Sequence, residues 1–277
     1  MKFFSISFFF LMLHGALNAQ IASIPQERTV ANENKLLKKP LIPQIKTTPI
    51  WGAGAPVGVT AGEFQNDIIQ STDGNLSSTE WTSISIYQTD DPSTGSTIQP
   101  GNAHWIRTLQ GISSGAYAGS SPTPIASPSQ LNGSAIFDSD FLDNEGIEAA
   151  FGTGVAPGPH SGGLTSPTID LTGNENVNIA VNFFCQWRNF EASLLVEFST
   201  DNGQTWGDAV FVNDLLPAGT NQTNEGWVSA LFDTYGVTDL SQCRVRFVFD
   251  GNYYFAIIDD VYLSIAPVHD LLVGQVS

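Results

Sequence analysis

The sequence predicts an all-β fold of two antiparallel sheets packed face to face. Three observations predict it. No window after Thr47 carries a sustained helical period. Apolar and polar residues alternate along several segments, leaving one apolar and one polar face on each. Gly, Ser, Thr, Asn and Asp fill the stretches between, which is turn chemistry. The length left after the N-terminal region is ample for one large β domain with its own core.

The chain divides in order. Residues 1–19 have signal-peptide anatomy: Lys2 gives a positive charge, residues 3–13 an apolar run too short to span a bilayer, and Ala19 a small residue before Gln20. A short membrane anchor is the alternative. Residues 20–48 hold Lys35, Lys38, Lys39, Lys46 and several prolines without periodicity, the composition of a flexible linker. The sandwich is expected over 49–266. Weaker strands are predicted at 83–88, 104–109, 134–137 and 210–212. Val177, Ile179, Val181, Phe183 and Cys185 share a face, opposite Asn178, Asn182 and Gln186. Leu194, Val196 and Phe198 face inward. Cys243, Val245, Phe247 and Phe249 do so too, with Arg244 and Arg246 outward. Ile257, Val261, Leu263 and Ile265 are assigned to one face of the last strand. The segments 111–133 and 152–163, rich in Gly, Ser and Pro, are expected as long surface loops, where recognition commonly sits. Ala266-Pro267 reads as a boundary, and 267–277 as the start of a following segment.

Charge narrows the function. The cations after Thr47 are Arg107, Arg188, Arg244 and Arg246, while all acidic residues except Glu27 and Glu33 lie in that region. Such a surface repels phosphate backbones and anionic lipid, so nucleic acid and membrane partners are not expected. Carboxylates in this number suit hard divalent cations, although acidity also simply keeps a secreted protein soluble. Cys185 and Cys243 both fall on predicted apolar faces. A disulfide and a pair of buried thiols both fit them.

Four passages occur in sequence: Gly162–Leu171, with Ser166-Pro167-Thr168-Ile169-Asp170-Leu171; Ser199-Thr200-Asp201-Asn202-Gly203-Gln204-Thr205-Trp206; an apolar stretch and turn over 227–240; and Ile257-Ile258-Asp259-Asp260-Val261. Together they resemble the MAM-like and cleaved-adhesin jelly-roll domains of secreted bacterial surface proteins, over roughly 105–265. The resemblance implies a concanavalin-like jelly roll and a module attached to proteases, glycosidases or adhesins. It also implies binding of proteins, glycans or cell surfaces, often with structural calcium. By that resemblance the first Asp of the terminal motif joins groups near the first strand, with Glu63, Asp138 and Asp140 as the positions carried over.

Asp259 and Asp260 are the leading candidates for metal ligation. Alternation with Ile257 and Val261 turns the Asp259 carboxylate toward the core, where it needs an arginine, backbone donors or a cation. A hydrogen-bonded structural aspartate is the competing reading. The Asp201 passage is a hairpin turn: Asp201 bonds nearby amides, Gly203 supplies positive φ and Trp206 packs beneath. It also fits the Asp-box of sialidase propellers, but one copy without an arginine cluster favours the structural role. Gly111-Ile112-Ser113-Ser114-Gly115 spells a nucleophile elbow, yet Pro122, Pro124 and Pro128 follow and no helix can start there. His104, His160 and His269 lack zinc spacing and are read as surface or hairpin residues. Trp187, Tyr253 and Tyr254 are candidate ligand contacts, because aromatic faces stack on sugars and proteins alike. Trp206 and Trp227 are assigned to the core.

These readings converge on a secreted or cell-surface, non-catalytic adhesion or ligand-binding module braced by calcium, with an extracellular protein or glycan as partner. The alternative is an accessory domain of a larger secreted peptidase or glycoside hydrolase whose catalytic part lies elsewhere. A glycosidase on the sandwich itself requires two carboxylates across a cleft, and no strand shows that spaced pair.

Overall fold

The computed structural model describes residues 47–91, 96–119 and 122–266; the expected leader, nearly all of the expected linker, His269 and the 267–277 segment lie outside them. The strands of the first half are β1 (Pro49–Gly52), β2 (Ile69–Ser71), β3 (Thr82–Asp91), β4 (Ser96–Ile98), β5 (Ile106–Thr108), β6 (Ser134–Phe137) and β7 (His160–Thr165). Those of the second half are β8 (Asn178–Asn189), β9 (Ala192–Ser199), β10 (Val210–Phe211), β11 (Gln222–Asp233), β12 (Arg244–Gly251) and β13 (Phe255–Ile265). Among the described residues three short α-helices join them, α1 (Val59–Gly62), α2 (Ser139–Asn144) and α3 (Val212–Leu215), with a 3-10 turn at Gln130–Asn132.

They form the expected sandwich. The first sheet runs β11-β8-β13-β6-β5, with β1 added along β13. The second runs β10-β9-β12-β7-β3-β2, with β4 on β3. Only β2 and β3 pair parallel among these neighbours. The alternating residues fill the space between the sheets. Ile179, Val181, Phe183 and Cys185 of β8 meet Leu194, Val196 and Phe198 of β9 and Val245, Phe247 and Phe249 of β12 in one buried cluster. Phe137 stacks on Phe249 at 4.6 Å, and Phe183 meets Phe247 edge-on at 4.9 Å. The expected 152–163 loop is shortened by β7, which lies buried between β3 and β12. Gly162 makes this possible: a Cβ there would stand 2.4 Å from the Phe137 ring and 2.5 Å from the Ala103 carbonyl. Cys185 and Cys243 are buried free thiols, so the unbridged reading holds. Burial raises both, Cys243 to about 12.

Two strand assignments are corrected. Ile257 and Val261 do not share a face. The β13–β8 register shifts between Asp259 and Tyr262, and Asp260 has φ 49°. This is a β-bulge, whose extra residue turns the alternation over. Ala256 and Ile258 face the core before it; Val261 and Leu263 do so after it. Asp259 therefore lies on the outer face with Ile257. The bulge also marks a change of neighbour, because β6 pairs with Ala256–Ile258 and β1 with Tyr262–Ser264. Arg244 is not outward: it is 1% exposed. Its guanidinium donates to Asn202 Oδ1 (2.7 Å), the Ser77 and Ser166 carbonyls (2.8 and 2.7 Å) and Thr168 Oγ1 (3.1 Å). Folded-over loops supply these acceptors. Arg246 stays partly exposed, paired with Glu197 at 2.6 Å and lying 4.1 Å over Trp206.

Candidate functional site

The described residues of the expected loop, 111–119 and 122–133, do not form a free surface loop. They lie as a strap across the outer face of the first sheet. Ile125, 1% exposed, packs there with Ile136, Phe184, Phe255 and Ile257. Aspartates tie the strap down at both ends. Asp138 accepts from Ser113 Oγ and the Ser114 amide, each at 2.6 Å, and Asp140 from the Tyr117 amide at 2.6 Å. At the other end Asp259 accepts from Ser127 Oγ at 2.5 Å and from Ser129 Oγ at 3.3 and 3.4 Å. Asp260 accepts from the Ser129 amide at 3.2 Å. The ends are about four strand residues apart along β6, roughly 13 Å. The five expected metal ligands thus form two groups, Asp138 with Asp140 and Asp259 with Asp260 and Glu63. Among the described residues no three His, Cys, Asp or Glu side chains are disposed to hold a metal.

The bulge group is assembled by close backbone packing. The Ala53 amide donates to the Val261 carbonyl at 2.9 Å. A Cβ on Gly62 would stand 2.3 Å from both of those atoms. Glycine at this position lets α1 place Glu63 beside Asp260. Glu63 Oε2 accepts from Asn132 at 2.8 Å and Gln65 at 2.9 Å. Burial pushes the Asp259 carboxyl up to about 7, against the Ser127 bond, and the Asp260 charge adds to the rise. Burial also raises Asp260, with Glu63 contributing. At the far end burial raises Asp138 to about 6 and lifts Asp140 and Asp143. Ser134, one ladder step from Asp259, has a buried hydroxyl with no protein partner.

A cleft of about 230 Å³ opens beside the Asp140 end, lined by Tyr117, Asp140, Phe151, Phe190, Asn221, Tyr253 and Tyr254. Tyr117 stacks on Phe151 at 5.5 Å, and Phe190 meets Tyr253 at 5.1 Å. Arg188 sits 4.2 Å over the Tyr254 ring and donates to the Tyr117 carbonyl at 2.9 Å. The Tyr254 hydroxyl donates to Asn221 Oδ1 at 2.8 Å. Tyr254 has φ 64°, a strained conformation for an aromatic residue, and Asn221 and Ala149 nearby are also left-handed. Both oxygens of Asp140 are engaged, one by the Tyr117 amide and the other by Asn144 at 2.8 Å.

Of the three aromatic residues singled out in the sequence, Tyr253 and Tyr254 reach this cleft. Trp187 does not. It is fully buried, and its indole donates to the Leu216 carbonyl at 2.9 Å. Tyr117, Phe151 and Phe190 were missed because they arrive on separate loops with no shared periodicity. His160 is buried rather than exposed, held by Ser139 and the Ala156 carbonyl at 2.8 Å each, and burial lowers it to about 4. His104 is buried as well. Trp227, expected in the core, is 37% exposed on the outer face.

No protein-family model matches the chain, and no curated protein matches it. Among solved structures it is similar to the K1 cleaved adhesin domain of Lys-gingipain from Porphyromonas gingivalis (13% identity, TM-score 0.37, 71% of this chain and 95% of that one). It is also similar to TmCBM61, solved in complex with β-1,4-galactotriose (14% identity, TM-score 0.35, 69% and 91%). A third likeness is to the enzymatically active domain of bacteriophage CBA120 tailspike protein 4 (11% identity, TM-score 0.40), covering 75% of this chain and 21% of that one.

Proposed function

We propose that this chain is a non-catalytic binding module of a secreted or cell-surface protein, taking a ring-sized part of an extracellular glycan in the Tyr253–Tyr254 cleft. The observation that carries the reading is the cleft itself, walled by aromatic rings from separate loops with one amide at the rim. Aromatic walls with a few polar groups suit ligand capture. The absence of catalysis is supported by Asp140, the carboxylate in the lining, whose oxygens are both committed to protein donors. Glycoside hydrolysis uses a pair of carboxyl groups facing the bond. The module also fits service as an accessory domain within a larger secreted enzyme. Extracellular placement is supported by the N-terminal residue pattern; among the described residues no helix is long and apolar enough to cross a membrane.

Calcium is the second part of the proposal. Asp260 and Glu63 are carboxylates brought close enough for the Glu63 charge to raise Asp260. Both bonds to Glu63 fall on Oε2, and the Ser134 hydroxyl nearby is unpartnered. These oxygens suit a hard cation, which would offset the repulsion. Asp259, saturated by serines, would orient the strap rather than ligate.

A glycan array run with the wild-type chain and Tyr254→Ala tests the cleft. Binding to at least one glycan, weakened about tenfold or more in the variant, is expected; equal binding by both ends the cleft reading. For calcium, chelation is expected to lower the melting temperature by about 5–10 °C when the free ion had been at a hundredfold excess over its Kd. An unchanged melt removes the cation.

A further inference from the structure

The outer face of the first sheet is only half covered. The strap lies over β6, the neighbouring part of β13 and one end of β8 and β11, where Gln186 donates to the Thr123 carbonyl and the Ala126 amide to Glu225, each at 3.3 Å. Toward β11 the ladder exposes another surface. Across the strands, Trp227 stands opposite Phe184, Ser229 opposite Asn182, and Asn182 opposite Tyr262. Trp227 contacts Phe184 at 5.6 Å and Tyr262 at 5.8 Å, both edge-on. Ser229 donates to Asn182 Oδ1 at 2.8 Å. Along β11 the outward positions Glu225, Trp227, Ser229 and Leu231 are all exposed, Leu231 by 50%. Alternate strand residues recur at about 7 Å, so these groups form a continuous open stripe.

We propose that this stripe is a second binding site, for an extended neutral polysaccharide chain. The side chains decide the class. An indole flanked by a tyrosine offers stacking surface to the apolar side of a sugar ring, while the exposed Ser229 and Glu225 offer polar groups for its hydroxyls; Asn182 beneath them is buried and holds Ser229 in place. No arginine or lysine stands among these outward residues, and the charges along this face of β11 are the carboxylates of Glu225 and, at its end, Asp233. An anionic polymer is therefore repelled. A second copy of this chain is disfavoured for the same reason, since the protein carries a formal net charge of −17. The stripe is distinct from the cleft: Phe184 and Phe190 are six residues apart on the same strand and its turn, roughly 20 Å.

Affinity electrophoresis through gels containing mixed-linkage β-glucan, galactan, glucomannan or xyloglucan, with polygalacturonate as the anionic control, tests this. At least one neutral polymer is expected to retard the chain, and polygalacturonate is not. Trp227→Ala should weaken that retardation about tenfold, and Trp227→Phe should restore part of it. Tyr235→Ala, an exposed aromatic change elsewhere, should leave it as in the wild type. Melting curves confirm that each variant is folded. The proposal is overturned by absence of retardation in every neutral polymer, by equal retardation of Trp227→Ala and wild type, or by equal binding to polygalacturonate. Loss of self-association in Trp227→Ala during sedimentation, with no retardation by any polymer, makes the stripe a protein interface instead.

Discussion

Asp201 and Asp259 both belong to short aspartate motifs, and they end in opposite electrostatic states. Asp201 is bonded entirely within its own turn: Ser199 Oγ and the Thr205 amide donate to Oδ1 at 2.8 Å, and Thr205 Oγ1 to Oδ2 at 2.5 Å. The Thr205 hydroxyl and amide pull its carboxyl down to about 2. Asp259 receives similar donors, two serine hydroxyls and the amide of Asp260 at 2.8 Å, yet stands near 7. The number of hydrogen bonds does not separate them. Water does, because the turn is solvated while the bulge is roofed by a strap from more than a hundred residues away.

The sharpest way to break this contrast is Gly62→Ala. The new methyl meets backbone atoms of β1 and of the bulge, which cannot swing aside. A loss of about 3 kcal/mol or more in urea denaturation is expected, with the Asp201 turn untouched. A loss within experimental error means that the bulge is not held by that packing. Next in size is Asp259→Ala, which strands Ser127, Ser129 and the Asp260 amide. About 2–3 kcal/mol is expected, together with faster proteolysis inside 111–133. Asp201→Ala should have a smaller effect and leave the strap protected.

A further test of the contrast is a matter of pH, and it has a definite sign. The folded Asp259 carboxyl is raised from 3.8 to about 7, so the native state holds the extra proton between those values. Its contribution to stability is therefore largest in acid and declines as pH climbs through that window. His160, lowered from 6.5 to about 4, runs the other way, so the informative quantity is the difference between variant and wild type. Asp259→Asn should gain on the wild type as pH rises from about 4 to 7 and hold level beyond. Asp201→Asn should behave oppositely. The wild-type advantage from Asp201 is present above 3.8 and fades as pH falls toward 2. Chemical denaturation at stepped pH reads both, and a flat Asp259→Asn difference would show that the carboxyl is ordinary.

Much of this was legible in the residues. The stripes of β8, β9 and β12 gave the two-sheet sandwich, because alternation is a property of a few consecutive residues. The Asp201 turn was legible for the same reason: its donors, its glycine and its acceptor all lie within one short passage. Period two names two faces but not which one a distant segment covers. Hence Arg244 was read as outward although loops from 77 and 166–168 enclose it, and Trp187 and Trp227 were assigned to the wrong environments. The bulge at Asp260 compounded this, because a single extra residue reverses every later side chain. Tertiary structure alone decided where water is excluded, and with it the state of each aspartate, since burial is set by chain that is remote in sequence.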